Sequence, residues 1–168
     1  MYIATIDCGT TNSRVYVVNE EAEVLGKASK KVGVKDTAST GSTETLKTGL
    51  KEAYYAAVEG AGLESKDIAF IISSGMITSE LGLKELPHLW APAGMQELAD
   101  NITKVHDTSV FPIDKPVYFV RGIKNRYDLF TKYFPVNRSF RDGAYLIRRA
   151  SIFAISRLAK SSVKNHSW

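Results

Sequence analysis

At 168 residues, with 44% hydrophobic and 24% charged side chains, the chain has the composition of an ordinary globular protein with enough apolar material for a core. No apolar run approaches the ~20 residues of a membrane span, no basic stretch precedes an apolar one at residues 1–6, and the single Cys8 can close neither an internal disulfide nor a zinc site, which points to a reducing, cytoplasmic setting. The net charge of +4 is unevenly spread: residues 1–124 carry 13 Lys/Arg and 16 Asp/Glu, a net of −3, whereas residues 125–168 carry 9 Lys/Arg against Asp128 and Asp142, a net of +7.

In chain order, residues 3–18 read as a hydrophobic strand, a tight polar turn and a second, β-branched strand. Asp7 stands where the first strand ends, Gly9 follows with its wide choice of backbone angles, and Thr10 and Thr11 add two hydroxyls. Exposed N–H groups in a glycine turn, hydroxyl donors and a carboxylate able to position hydrated Mg²⁺ make a place to hold a phosphate. The same residues also fit an ordinary hairpin with a polar tip. Residues 19–22 supply a turn, 23–32 a polar third strand near a sheet edge, 33–38 a loop, and 39–43 a run of small polar residues.

The periodicity predicts a helix over 44–60, with Leu46, Leu50, Tyr54 and Val58 at four-residue spacing, Ala53 and Ala57 beside them, and Gly60 and Gly62 to stop it. The apolar run 68–73 reads as a strand buried on both faces, parallel to one already in the sheet because a helix leads into it. The order so far is β-β-β-α-β. Residues 73–83, rich in Ser, Gly and Thr, then lie where open α/β sheets bind ligands, beyond a strand's carboxyl end; a plain connection with Ser/Thr caps is the alternative.

The proline-bounded aromatic segment 86–94 is too irregular for a helix, and its His88 either meets an anion or is structural. A short helix at 95–101, an edge strand at 102–106 and a loop at 107–115 precede a buried strand over 116–124 that ends in a glycine turn. Arg121 and Lys124 there either face a carboxylate or phosphate or are simply solvated charges.

The N-terminal Asp7-Cys8-Gly9-Thr10-Thr11-Asn12-Ser13-Arg14 resembles the first phosphate motif of the actin/hexokinase/Hsp70 superfamily, and its Thr-Asn-Ser-Arg continuation is similar to that of 2-dehydro-3-deoxygalactonokinases. Residues 7–14, 33–38, 75–82, 87–101 and 119–124 all resemble, in order and spacing, the N-terminal half of that family, over roughly residues 2–125. The resemblance implies an α/β, ribonuclease-H-like (actin-like ATPase) lobe with a mixed sheet. It also implies ATP- and Mg²⁺-dependent phosphorylation of 2-dehydro-3-deoxy-galactonate at its 6-hydroxyl, in galactonate breakdown. Carried over to this sequence, Asp7, Gly9, Thr10, Thr11 and Asn12 would hold phosphate and, through water on Asp7, the metal. Arg14, Gly33, Val34, Gly75, Met76, Thr78, Ser79 and Glu80 would meet the sugar acid.

The family's Arg-Gly-Glu-Glu stretch, its second phosphate loop of the Pro-Gly-Thr-His type and its adenosine-binding region have no counterpart in these 168 residues, and no general base can be assigned. The sequence therefore predicts a kinase lobe over 1–124 followed by a basic tail over 125–168, in a truncated and inactive fragment. The tail reads either as a basic amphipathic helix at 144–160 or as a non-native end. Two other functions compete: an ATP-binding regulator without chemistry, and a nucleic-acid or membrane binder acting through the tail. The net negative charge of residues 1–124 argues against the last, so neither nucleic acid nor membrane is expected as a partner.

Overall fold

The structure, a computed structural model, describes residues 1–124. The expected helix at 144–160 and the rest of the basic tail lie outside the described residues. Alternation of β-branched and polar side chains makes β1 (Tyr2–Cys8) and β2 (Ser13–Val18) an antiparallel hairpin, with Asp7 directly opposite Arg14. β3 (Val24–Lys30) adds antiparallel to β2 through a turn in which the Asn19 side-chain oxygen accepts the Glu21 and Glu23 N–H groups at 3.1 and 2.9 Å. The chain then forms α1 (Val34–Thr40) and α2 (Glu44–Gly60) and returns as β4 (Ile68–Gly75), parallel to β1.

Beyond β4 come a two-residue strand β5 (Leu89–Trp90), a short helix α3 (Met95–Asp100), β6 (Thr103–Val105), β7 (Val117–Phe119) and β8 (Ile123–Lys124). The main sheet has six strands in the order β3-β2-β1-β4-β7-β6; β7 is parallel to β4, and β6 is an antiparallel edge. β5 and β8 pair parallel in a separate ribbon. This is a mixed sheet of the ribonuclease-H-like kind, with the expected antiparallel start and two parallel extensions.

The stripe of α2 packs on one face of the sheet. Leu46, Leu50, Ala53, Tyr54 and Ala57 are fully buried there with Ile6, Val15, Ile71 and Phe119. Tyr54 keeps its hydroxyl satisfied by Ser65 Oγ at 2.9 Å. α2 lies so close to β3 that a Cβ on Gly26 would stand 2.2 Å from the Ala57 carbonyl oxygen. A smaller cluster of Ile3, Val18, Phe70, Ile72, Leu98 and Val120 forms on the opposite face.

Three expectations need correction. Residues 33–38 are not a loop: Val34–Thr40 is a helix, so the order is β-β-β-α-α-β. The Asp36 carboxylate accepts the Gly33 N–H at 2.8 Å, capping its start, and Gly41 at φ 69° ends it. The third strand stops at Lys30 rather than running to residue 32. The segment 116–124 is divided between two sheets, Val117–Phe119 in the large one and Ile123–Lys124 in the ribbon.

Candidate functional site

The site grows from the carboxyl ends of the parallel strands. Between β1 and β2 the chain reverses over residues 9–12, closed by the Gly9 N–H donating to the Asn12 carbonyl at 2.9 Å. Helix α1 begins against this turn: the Val34 N–H donates to the Gly9 carbonyl at 3.3 Å and the Lys35 N–H to the Thr10 carbonyl at 2.9 Å. Gly33 lets the two meet, since a Cβ there would lie 2.4 Å from the Thr10 carbonyl oxygen and 2.5 Å from that of Gly9. From below, the Ser13 hydroxyl donates to the Val32 carbonyl at 2.9 Å. The turn's shape is therefore over-determined.

Asp7 is level with Ser74 across the β1–β4 ladder, and Cys8 is level with Gly75. Gly75 has φ 91°, in the region that favours glycine, and a Cβ there would stand 2.3 Å from the Cys8 carbonyl oxygen and 3.1 Å from Asp7 Oδ1. Gly75 thus packs directly against the Cys8 backbone with the Asp7 carboxylate beside it, a position that only glycine fits. Its Oδ2 lies 3.7 Å from the Arg14 guanidinium, and both side chains are about half exposed. Burial pushes the neighbouring Cys8 thiol up to about 11, with a hydrogen bond to Ser13 opposing the rise and the Asp7 charge adding to it. A thiol held neutral and buried is no nucleophile.

The structure thus brings Asp7, Gly9, Thr10, Thr11, Asn12, Arg14, Gly33 and Gly75 into one neighbourhood. Thr10 and Thr11 are exposed at the turn, the Thr11 hydroxyl accepting from the Asn12 amide at 3.1 Å. Three other expected contacts are spent differently. Val34 is buried in the main core and its N–H is taken by Gly9, so it offers a ligand nothing directly. Thr78 is buried with its hydroxyl donating to the Gly75 carbonyl at 3.4 Å, and the Ser79 hydroxyl donates to the Met76 carbonyl at 2.7 Å. These two hydroxyls brace the turn after β4. Met76 and Glu80 are exposed on that turn.

Among the described residues no group of three or more His, Cys, Asp or Glu could enclose a metal. A lone, half-exposed carboxylate fits a cation that keeps most of its water, as Mg²⁺ does, and not a closed protein cage. Of two open surface hollows, the larger (≈ 580 Å³) lies between Lys30, Gly49 and Glu52, away from this turn. The smaller (≈ 430 Å³) is lined by Arg14, Tyr16, Lys27 and Ser29 and so touches the site. We weight the second because it shares Arg14 with the Asp7 carboxylate.

Sequence reasoning left Arg121 between an anion contact and a solvated charge. Its Nε is buried without a hydrogen-bond partner. The signal available was its place just after a buried strand, at the same end of the sheet as Asp7.

A mixed sheet with this turn at the carboxyl end of its first strand defines the class: a ribonuclease-H-like lobe of the actin-like ATPase kind. A sequence model of the family described as 2-keto-3-deoxy-galactonokinase matches residues 7–129, and the chain belongs to that family. It is 26% identical over 127 residues to the probable 2-dehydro-3-deoxygalactonokinase DgoK1 of Rhizobium meliloti (strain 1021), covering 74% of this chain and 36% of that protein. A crystal structure of a protein assigned the same activity, from Sinorhizobium meliloti, superimposes with a TM-score of 0.53 at 24% identity, again over 74% of this chain and 36% of the other. The chain thus spans about a third of the length of these relatives. Among the described residues no helix is long and apolar enough to cross a membrane.

Proposed function

We propose that residues 1–124 form the phosphate-gripping lobe of an ATP-dependent sugar-acid kinase, acting in the cytoplasm on the 6-hydroxyl of 2-dehydro-3-deoxy-galactonate. The observation that carries this reading is the Asp7 carboxylate set beside Gly75, at the carboxyl ends of adjacent parallel strands and next to a braced glycine turn. Phosphates would lie along the 9–12 turn, taking hydrogen bonds from the exposed Thr10 and Thr11 hydroxyls and from backbone N–H groups. Mg²⁺, held by Asp7 through water, would supply neutralising charge to those phosphates. Arg14, 3.7 Å from Asp7, presents a second positive group to the phosphate or the acid.

The test is calorimetric titration of the chain with Mg·ADP and with Mg·ATP. Binding should require Mg²⁺ and weaken about tenfold, ~1.4 kcal/mol, in Asp7→Asn. Binding that ignores both the metal and Asp7→Asn would sink the reading. A membership assay with the substrate itself, following ADP release in a full-length relative carrying the equivalent change, would address the sugar acid.

A further inference from the structure

Arg121 lies two residues past β7, the third parallel strand. The Val120 N–H donates to the Ser73 carbonyl at 2.9 Å, which carries the β4–β7 register one step past the ladder and brings residue 121 level with Gly75. Since Gly75 is level with Cys8, Arg121 stands two strands from the Asp7 turn, roughly 10 Å at about 4.8 Å per strand. Its Nε is sealed from solvent and meets no acceptor, and among the described residues no ion pair includes it. A guanidinium with an unused, dehydrated donor is a poor structural choice and a good anion receptor.

The surroundings have one sign. Gly122 lies against the His88 ring, where a Cβ would come within 2.7 Å of Cδ2, and its carbonyl accepts the Leu89 N–H at 2.9 Å. The Lys124 ammonium sits 4.2 Å above the Trp90 ring. Neither residues 86–94 nor residues 116–124 contain an Asp or Glu. The β5–β8 ribbon therefore contributes the Lys124 ammonium and the Trp90 ring and contains no carboxylate.

We infer that Arg121 anchors the carboxylate of a sugar acid, with the Lys124–Trp90 pair as the flanking wall. An extended six-carbon acid spans on the order of 6 Å by ordinary carbon–carbon lengths. With its carboxylate on Arg121, its far hydroxyl would reach toward the Asp7 turn across the roughly 10 Å between them. That orientation rests on the kinase reading; capture of the carboxylate does not.

The experiment uses the 168-residue chain carrying Trp168→Phe, which leaves Trp90 as the one indole. Its fluorescence is titrated with D-galactonate, D-galactose and inorganic phosphate. We expect saturable binding of galactonate, none of neutral galactose, and a Kd at least tenfold weaker in Arg121→Gln, with circular dichroism checking the fold. If Arg121→Gln unfolds, Arg121→Lys decides, because a point charge cannot reproduce the planar fork: a Kd at least threefold weaker supports the anchor. An unchanged Kd in the deciding variant, equal binding of galactose, or phosphate binding as tightly as galactonate would overturn it. Parallel calorimetry with Mg·ADP separates the two readings. Nucleotide binding without Arg121-dependent galactonate binding removes the anchor alone, and the converse removes the nucleotide site while leaving the anchor.

Discussion

Asp7 and Gly75 show how differently two neighbours can be constrained. The Asp7–Arg14 pair, at 3.7 Å and half exposed, contributes little to folding. Asp7→Asn should therefore shift stability by less than ~1 kcal/mol in urea denaturation while weakening nucleotide binding, a split that a structural carboxylate would not give. Gly75→Ala should do the opposite first: the backbone at φ 91° and the Cys8 carbonyl at 2.3 Å predict a loss of roughly 1–3 kcal/mol. An alanine variant as stable as the parent would mean that the β4 end rearranges freely. Cys8 adds a pH signature. Its thiol ionises near 9.0 when unfolded and at about 11 in the fold, so the folded state holds its proton longer. The stabilisation is complete below pH 9 and is lost as pH rises toward 11. Parent and Cys8→Ala should therefore differ by a constant amount from pH 6 to 8.5, and the parent's advantage should shrink by about 2 kcal/mol by pH 11. A pH-independent difference would show that the thiol is not protected by the fold.

At the scale of elements, what the sequence revealed depended on periodicity. The α2 stripe at Leu46, Leu50, Tyr54 and Val58 repeats over four turns, and the observed helix has the expected bounds. The run at 68–73 is apolar without alternation because α2 covers one side and the Ile3–Phe70 cluster lies on the other. Helix α1 gave no such signal: in seven residues it buries only Val34 and Thr37, and its ends are set by Asp36 and Gly41. The division of 116–124 was equally hidden, since it depends on β5 arriving from a segment whose strand is two residues long. The turn between β1 and β2 was legible from Asp7, Gly9 and the threonines. The spending of Thr78, Ser79 and Val34 on internal bonds and core was not, because residue type does not tell which partner a hydroxyl or N–H finds. The approach of α2 to β3 supplies its own test. Gly26→Ala places a methyl 2.2 Å from the Ala57 carbonyl oxygen and 2.7 Å from the Ala61 nitrogen, backbone atoms that cannot rotate aside. A cost of about 2 kcal/mol or more is expected in thermal or urea unfolding. A neutral result would mean that the helix slides on the sheet.

For the whole molecule the issue is how much of a kinase one lobe can supply. The turn and the Asp7 carboxylate belong to a single sheet, and the match covers only 36% of the Rhizobium meliloti relative. Phosphoryl transfer depends on donors around the transferred group and on a site closed to water, which two-lobed kinases obtain by shutting one lobe on the other. Binding and turnover should therefore separate in the 168-residue polypeptide. On the proposed function it holds Mg·ADP weakly and gives no substrate-dependent ADP release above background. The measurement is a coupled assay with 2-dehydro-3-deoxy-galactonate and saturating Mg·ATP, run beside the Rhizobium meliloti relative. Turnover within about tenfold of that relative would correspond to a barrier difference of only ~1.4 kcal/mol. The contacts gathered at the ends of β1 and β4 would then be enough to stabilise the transition state, and the requirement for a second lobe would be wrong. The Asp7→Asn control guards against the other error. Any ADP release that survives it unchanged comes from a site other than the one at this end of the sheet.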